Sequence, residues 1–467
     1  MILPKRVYQL KLAEIQFAFM ALIGLLAFCT AIMKGVDTVL GFRNIIHMSI
    51  LCVLLTCFLY WSGFFDAHPL RIRRKHGHLF ALLLTGLFIP PVLSLVSYFF
   101  NWFFSLEILF LHSMLYIPLL LLSCYTFIKL YKQPGFKCRV MIVGAGWAGC
   151  TMAREFLADP EANIEIVGFI DDDRNRKQVE IETKDRIVTF DVLGGNESLL
   201  KLCSLHTVDI VVTCITHQRD DNLVESIYNL RKAGFIVEEM PAMYEKLFQK
   251  IPVYHMGHNF YSFEGEIQRE EGAFLIRFYN IVLSICLLGV YMITAFPFVY
   301  AIVRTSIGKG VFFIQERIGL WDEPFHIYKI KTMKEKVSAP NREGLPWAQK
   351  NDPRVPTACG IIRDLKLDEF PQLWNVIRGD MNLIGPRPQM RELLRQFETA
   401  IPYYSRRHLV RPGITGWAQI NHSALRSTED AIEGLQYDLY YVKHRTFLFD
   451  MYILFRTVER VLKFDRI

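Results

Sequence analysis

No Cys-x-x-Cys pair occurs among the ten cysteines of this 467-residue chain, so the usual spacing of a zinc site or a redox dithiol is missing. Cys29, Cys52, Cys57, Cys124 and Cys286 fall in apolar runs, where a thiol behaves as a small hydrophobe, and a disulfide framework is not supported either. A basic low-complexity tail is also absent. With a net charge of +7, modest for this length, nucleic acid is not an expected partner, whereas phosphates or lipid headgroups are. No small-residue cleavage site follows the first apolar segment, which argues against a signal peptide. What the chain has in quantity is apolar surface. At 52% hydrophobic and 13% aromatic residues it reads as a mixed membrane and soluble protein with room for two or three domains.

Residues 1–132 carry four apolar segments, at 15–33, 45–65, 79–100 and 106–128. Each has about 20 residues, enough to cross roughly 30 Å of hydrocarbon. Lys5, Arg6 and Lys11 precede the first, Arg71, Arg73, Arg74 and Lys75 follow the second, and Lys129, Lys132 and Lys137 follow the fourth. The opposite side carries only Lys34 and Arg43, so the positive-inside rule places both ends of this four-helix unit in the cytoplasm. Glu107 and His112 lie in or beside the fourth segment, without a relay of ionisable neighbours, and are read as pairing or interface groups.

Residues 136–253 alternate between strand and helix. The run 139–143 leads into Gly144-Ala-Gly146-Trp-Ala-Gly149, a helical pattern follows, and a second strand at 164–170 ends at Asp171. Strand, glycine turn, helix, strand and an acid about 20 residues on form a dinucleotide-type fingerprint, so a small Rossmann-like parallel sheet is expected. Strands at 210–214 and 235–239 and a helix at 222–233 extend it. If this domain holds a nucleotide, Gly144, Gly146, Gly149 and Asp171 are the expected contacts. A glycine turn demanded by the fold alone is an equally good reading, with a regulatory or structural role.

A further apolar stretch, about 277–304, has Pro297 deep inside it and Arg277 and Arg304 at its ends. Hydropathy favours an ordinary span. Proline removes a backbone hydrogen bond and kinks a helix, so a re-entrant helix-break-helix is the alternative. Beyond it, a strand-like segment at 311–319 carries Arg317, and the stretch 324–333 that follows carries Lys329. The stretch 361–388 then places Asp368 and Glu369 side by side, with Pro371 opening a helical pattern of Phe370, Leu373, Trp374 and Ile377. An Asp-Glu pair alone is most simply a solvated helix start. Here Arg363 and Arg387 flank it with guanidinium groups suited to phosphate oxygens. Arg406 and Arg407 each read as solvated surface charges. At the C-terminus Met451, Leu454, Phe455, Val458, Val461 and Leu462 form a helical stripe suited to a membrane surface or to the domain's own core.

Five blocks occur in order: Phe312-Phe-x-Gln-x-Arg317-x-Gly, Tyr328-Lys-x-x-Thr-Met, Asp368-Glu-x-Pro-Gln, Gly379-Asp-Met-x-Leu-x-Gly-Pro-Arg387-Pro, and Arg411-Pro-Gly-x-Thr-Gly-Trp. Together they resemble the bacterial sugar transferase family, the polyprenyl-phosphate hexose-1-phosphate transferases, in its large form with four membrane spans and a Rossmann-like domain. The resemblance implies a catalytic α/β domain at 273–467 with a re-entrant membrane helix, facing the cytoplasm from the bacterial inner membrane. It implies a UDP-sugar and undecaprenyl phosphate as substrates, Mg²⁺ as cofactor and the lipid bilayer as partner; a homodimer is compatible with it. Asp368 would be the nucleophile, Glu369 a metal partner or base, and Arg317, Lys329, Arg363, Arg387 and Arg411 phosphate contacts, the metal lying at Asp368 and Glu369.

The chain departs from the family pattern at Asn280, usually Asp, at Phe296-Pro297, usually Ser-Pro, at Lys309-Gly310, often Gly-Pro, at Lys331, usually Arg, and at Phe370, usually Leu. Two other functions compete. A membrane-anchored NAD-dependent nucleotide-sugar dehydratase would need a second glycine fingerprint followed by Tyr-x-x-x-Lys, and that spacing occurs only at Tyr125–Lys129 and Tyr228–Lys232. An inactive nucleotide-sensing scaffold would have no need of the intact acid pair.

Overall fold

The structure, a computed structural model, describes residues 137–158, 164–173, 175–183, 185–215, 221–255, 273–334, 354–422 and 427–462. The four expected spans, Glu107, His112 and most of the loop at 336–356 lie outside the described residues. The chain divides into two units between Leu247 and Phe248.

The first unit is the expected parallel sheet. Strands β1 (Cys138–Val143), β2 (Ile164–Ile170), β3 (Gln178–Glu182), β4 (Ile187–Gly194), β5 (Ile210–Thr213) and β6 (Ile236–Glu239) lie in the order β3-β4-β2-β1-β5-β6. All neighbours are parallel except β3 and β4, which pair antiparallel. Helices α1 (Trp147–Ala158), α2 (Leu199–Leu205), α3 (Asp221–Lys232) and α4 (Met240–Phe248) complete the alternation. Central β1 and β5 are apolar runs because both faces are covered, with Val140, Met141, Ile142, Val211 and Val212 fully buried. The edge hairpin β3–β4 was not expected from the sequence. In β3 only Val179 and Ile181 are buried, an alternation too short to stand out between charged residues.

The second unit begins with residues expected to close the middle domain. Ile251 and Val253 belong to its core, and the Ile251 amide donates to the Gln436 carbonyl. Then come α5 (Ala273–Thr294) and α6 (Phe296–Ser306), separated by a single turn residue, Ala295, whose backbone stays in the right-handed region, with Pro297 in the first turn of α6, where a missing N–H costs little. Among the described residues, Phe274–Thr294 is the one stretch long and apolar enough to cross a membrane. Both helices also pack on the unit itself. The Asn280 carboxamide, fully buried, accepts from the Leu383 amide at 2.6 Å and donates to the Ile276 carbonyl at 2.7 Å. That double role needs no charge, which accounts for an amide where the family has an acid. On α6, Val299 and Val303 join a cluster with Val311, Ile330, Cys359 and Ile362.

The antiparallel hairpin β7 (Phe312–Ile318) and β8 (Pro324–Ile330) follows, then α7 (Thr357–Asp364), α8 (Gln372–Arg378), β9 (Asn382–Ile384), α9 (Arg391–Ala400), β10 (Gly413–Thr415), α10 (Trp417–Asn421), α11 (Thr428–His444) and α12 (Phe447–Leu462). Strands β9 and β10 pair in parallel. A side chain on Gly413 would bring its Cβ to 2.1 Å from the Gly385 nitrogen, so the two motif blocks pack backbone against backbone. The C-terminal helix α12 buries Ile453 completely and leaves Val458 and Val461 exposed. Of the expected stripe, Leu454 packs on the core while Val458 and Val461 do not.

Candidate active site

Asp368 and Glu369 sit in the short connection between α7 and α8. The end of α7 is closed by Lys366 in the left-handed region, at φ 58°, with the Leu367 amide donating back to the Ile362 carbonyl at 2.9 Å. The Asp368 carbonyl accepts from the Ile330 amide at the end of β8, also at 2.9 Å, and Pro371 caps α8. The acid pair is thus fixed by its backbone on a short segment between two helices and a strand.

Side by side in sequence, the two carboxylates have different surroundings. Glu369 Oε1 accepts from Arg387 Nη2 at 2.6 Å and from Lys329 Nζ at 3.1 Å, and Oε2 accepts from Arg387 Nη1 at 3.4 Å. Burial raises the Glu369 carboxyl, but Arg387 and then Lys329 outweigh it and hold the group well below the usual carboxylate range. Among the described residues Asp368 has no ion pair. Burial and the neighbouring Glu369 push its carboxyl up to about 6, against a smaller pull from Lys329 and Arg363. Burial also lowers Lys329.

Arg387 remains 42% exposed, so its guanidinium has N–H donors to spare for a ligand. Arg317, on β7, lies near enough to oppose it. Burial and then Arg387 lower Arg317 to about 10, and its Nε is buried without a partner. Arg317, Lys329, Arg363 and Arg387 outnumber the two acids that they surround, a balance that favours an anionic ligand. Arg411 is elsewhere. Its Nε donates to the Gly379 carbonyl at the far end of α8, where Arg277 also caps the Val376 and Ile377 carbonyls. The structure therefore does not bring Arg411 to the acid pair.

Arg407, read as a solvated charge, is instead buried. It pairs with Asp438 at 2.7 Å and donates to the Arg387 carbonyl at 3.0 Å and to the Tyr404 hydroxyl at 2.7 Å. Its partner lies 31 residues away in sequence, so no local spacing marks it.

For Mg²⁺ the donor set is small. Both Glu369 oxygens are committed to cations, Asp368 is the member of the acid pair with an uncommitted carboxylate, and no cluster of three His, Cys, Asp or Glu occurs among the described residues. That fits an ion held by one carboxylate and by substrate phosphates, a usual arrangement for Mg²⁺, and it does not fit Glu369 as a ligand.

In the first unit, Gly144 has φ +101°, and a Cβ on Gly149 would lie 2.0 Å from the Gly144 carbonyl oxygen, while Gly146 has open space around it. Asp171 does not face away from this turn. Its Oδ2 accepts from the Ala145 amide at 2.7 Å, and Arg176 donates to the Ala145 carbonyl at 2.9 Å. The glycine turn is closed by its own carboxylate.

Residues 272–464 match the family described as bacterial sugar transferase. The chain is 41% identical to the UDP-N-acetylgalactosamine-undecaprenyl-phosphate N-acetylgalactosaminephosphotransferase of Aeromonas hydrophila over 152 residues, 32% of this chain and 35% of that protein. It is 41% identical over 165 residues to an uncharacterized sugar transferase of Bacillus subtilis, EpsL, covering 35% of this chain and 76% of that protein. A longer match, 26% identical over 339 residues, reaches the UDP-glucose:undecaprenyl-phosphate glucose-1-phosphate transferase of Xanthomonas campestris and covers 69% of this chain and 66% of that protein. The chain thus spans about a third of the Aeromonas relative's length and just under two thirds of the Xanthomonas one. Among solved structures, the likeness to the Rex-family repressor RSP is slight, with a TM-score of 0.19 and 18% identity over 33% of this chain and 70% of that one. With the acid pair, its cations and all five sequence blocks inside the matched region, the chain belongs to the bacterial sugar transferase family.

Proposed function

We propose that this protein transfers a sugar-1-phosphate from a UDP-sugar to undecaprenyl phosphate, as the names of two of its relatives describe for those proteins. The observation that carries the reading is the division of labour in the acid pair. Glu369 is locked to Arg387 and Lys329, whereas Asp368 is partly buried and, among the described residues, free of ion pairs, its carboxyl pushed up to about 6 by burial and by Glu369.

Asp368 attacks the sugar-linked phosphorus of the UDP-sugar. A carboxylate O–P bond forms, the P–O bond to the uridine-bearing phosphate breaks, and UMP leaves with the electron pair. A phosphate oxygen of undecaprenyl phosphate then attacks the same phosphorus and displaces Asp368 as a carboxylate. One difficult transfer becomes two easier ones, with no net proton to move. Arg387, Arg317 and Lys329 stabilise charge on the transferring phosphoryl group, with Glu369 holding two of them in place. Asp368 is the residue that would hold Mg²⁺, and the ion would supply further neutralisation of phosphate charge there.

The lipid acceptor requires that the site lie at a bilayer surface. Re-entry of α5 and α6 is supported by their packing. Arg277 at the start of α5 bonds α8, and Val303 near the end of α6 packs with Ile330 and Cys359, so both arms return to the same body. On this reading the catalytic unit lies at the cytoplasmic face of the inner membrane, the side that the Lys and Arg residues flanking the N-terminal apolar segments favour, with nucleotide-sugar on one side and lipid phosphate on the other. In the first unit a phosphate could use the Ala145 amide only by displacing Asp171, which favours a structural or regulatory role for that turn.

The test is a panel of UDP-sugars with membranes carrying the full chain, read as UMP release and lipid labelling. One or a few sugars should be turned over in the presence of undecaprenyl phosphate, and Asp368→Asn should reduce turnover by at least 1,000-fold, roughly the scale at which loss of a nucleophile acts. Undiminished turnover by the variant removes Asp368 from the role of nucleophile.

A further inference from the structure

The acid pair has a tether that neither the motifs nor the proposed chemistry uses. Tyr291, in the last turn of the membrane helix α5, is only 3% exposed. Its hydroxyl donates to the carbonyl of Leu367, the residue before Asp368, at 3.1 Å. Its ring stacks on Phe370, the residue after Glu369, with centroids 4.6 Å apart and planes 18° from parallel. One side chain therefore grips the backbone immediately before the acid pair and the ring immediately after it. Tyr291 also meets Phe296 at the helix break, 5.9 Å between centroids, and Phe296 in turn stacks on Phe312 of β7 at 6.0 Å and 18°. An aromatic column thus runs from the acid pair through the break to the hairpin that carries Arg317 and Lys329.

We propose that Tyr291 is a positioning residue that sets the Asp368 carboxylate by holding Leu367 and Phe370 on either side of it, so that the seating of α5 is transmitted to the nucleophile. Apart from Tyr291, the backbone at Asp368 is held from outside its own connection by the Ile330 amide. With Tyr291 gone, the Leu367 side of the acid pair loses its hold, and the segment can pivot about the Ile330 bond and the ion pairs of Glu369. In-line displacement tolerates little of this, since misplacement of a reacting atom by about 1 Å can cost on the order of 100-fold in rate. Tyr291 touches none of the cations assigned to phosphate, so its loss acts on the chemical step and leaves binding of the nucleotide-sugar in place. Phe370 and Phe296 stand where the resembling family usually has Leu and Ser, and here both pack on Tyr291.

The inference rests on Asp368 as the nucleophile, and the experiment separates the two. The full-length chain is assayed in lipid nanodiscs with a UDP-sugar that the wild type accepts. Tyr291→Phe, which keeps the ring and loses the hydroxyl, should lower kcat about 5- to 20-fold with KM for the UDP-sugar within about twofold. Tyr291→Leu, which loses both contacts, should lower kcat at least a further fivefold. Phe298→Leu, on the 72% exposed ring of the neighbouring helix, should match the wild type. Wild-type kcat in Tyr291→Phe, or a loss carried by KM, overturns the proposal, because a residue that only packs the helix would tolerate Phe. Should Tyr291→Leu fail to fold, Tyr291→Phe decides alone. An active Asp368→Asn sinks the underlying assignment, whereas an inactive Asp368→Asn beside a fully active Tyr291→Phe sinks this inference only.

Discussion

From Asp368 to Glu369 the chain advances one residue, and the side chains part because successive residues in a turn do not share a face. Glu369 meets Lys329 and Arg387, and Asp368 meets neither at ion-pair distance. The consequence is a pH profile. A nucleophilic Asp368 must be ionised and its carboxyl sits at about 6, so kcat/KM should rise through that pH and level off above it. Glu369 is a principal cause of the upward shift, after burial. Removing its charge ends the repulsion and frees Lys329 and Arg387 to favour the Asp368 carboxylate. Glu369→Gln should therefore move the acid limb to lower pH while lowering the plateau by roughly 10- to 100-fold, as the loosened cations lose their aim. An acid limb that stays in place or moves upward would contradict the assignment of roles. At this scale the sequence was informative about identities and poor on partners. Asp368, Glu369, Lys329, Arg387 and Arg317 come together as expected. Arg411 does not, because its motif block serves the β9–β10 packing and the end of α8, and an Arg can cap a helix as readily as it can bind phosphate.

Among the elements, those with strong periodicity were legible. Strand β2 has the bounds expected, and β1, β5 and β6 differ by a residue at one end; for β1 and β5 the reason is that apolar runs buried on both faces leave little choice. The β3–β4 hairpin and the depth of Arg407 were not legible, one for want of length and the other because its partner is distant in sequence. The buried Arg407–Asp438 pair is an element-scale support. It joins α11 to the turn after α9 and, through the Arg387 carbonyl, to the Gly-Pro-Arg-Pro segment. Breaking such a pair leaves an uncompensated buried charge. Asp438→Asn should cost on the order of 3 kcal/mol of stability, read as a lower midpoint in thermal unfolding, and should weaken turnover through Arg387. A midpoint unchanged from the wild type would mean that the pair carries no such strain.

For the whole molecule, the parts form a sequence of anchors. The Asn280 amide ties α5 to β9, Arg277 ties it to α8, and Tyr291 ties it to the acid pair, so one long apolar helix touches three pieces of the proposed site. Its polar residues Asn280 and Ser284 are fully buried, while Phe274 and Ile293 are 84% and 80% exposed, as expected of a helix with protein on one side and lipid on the other. The sequence offered a break at Pro297 as the alternative to an ordinary span. It did not convey that both arms pack on one body, because that depends on contacts made from Val299, Val303 and Tyr291 to residues far along the chain. The central claim is chemical: a covalent bond between Asp368 and the sugar phosphate. It is tested most directly by giving the purified full-length protein an accepted UDP-sugar without undecaprenyl phosphate and measuring the intact mass together with UMP. The account predicts up to one UMP released per protein and a mass gain equal to one sugar phosphate, located on the peptide that contains Asp368, absent in Asp368→Asn and discharged when undecaprenyl phosphate is added. UMP formed only when the lipid acceptor is present, with no adduct at any time in a protein that turns over normally, would contradict it.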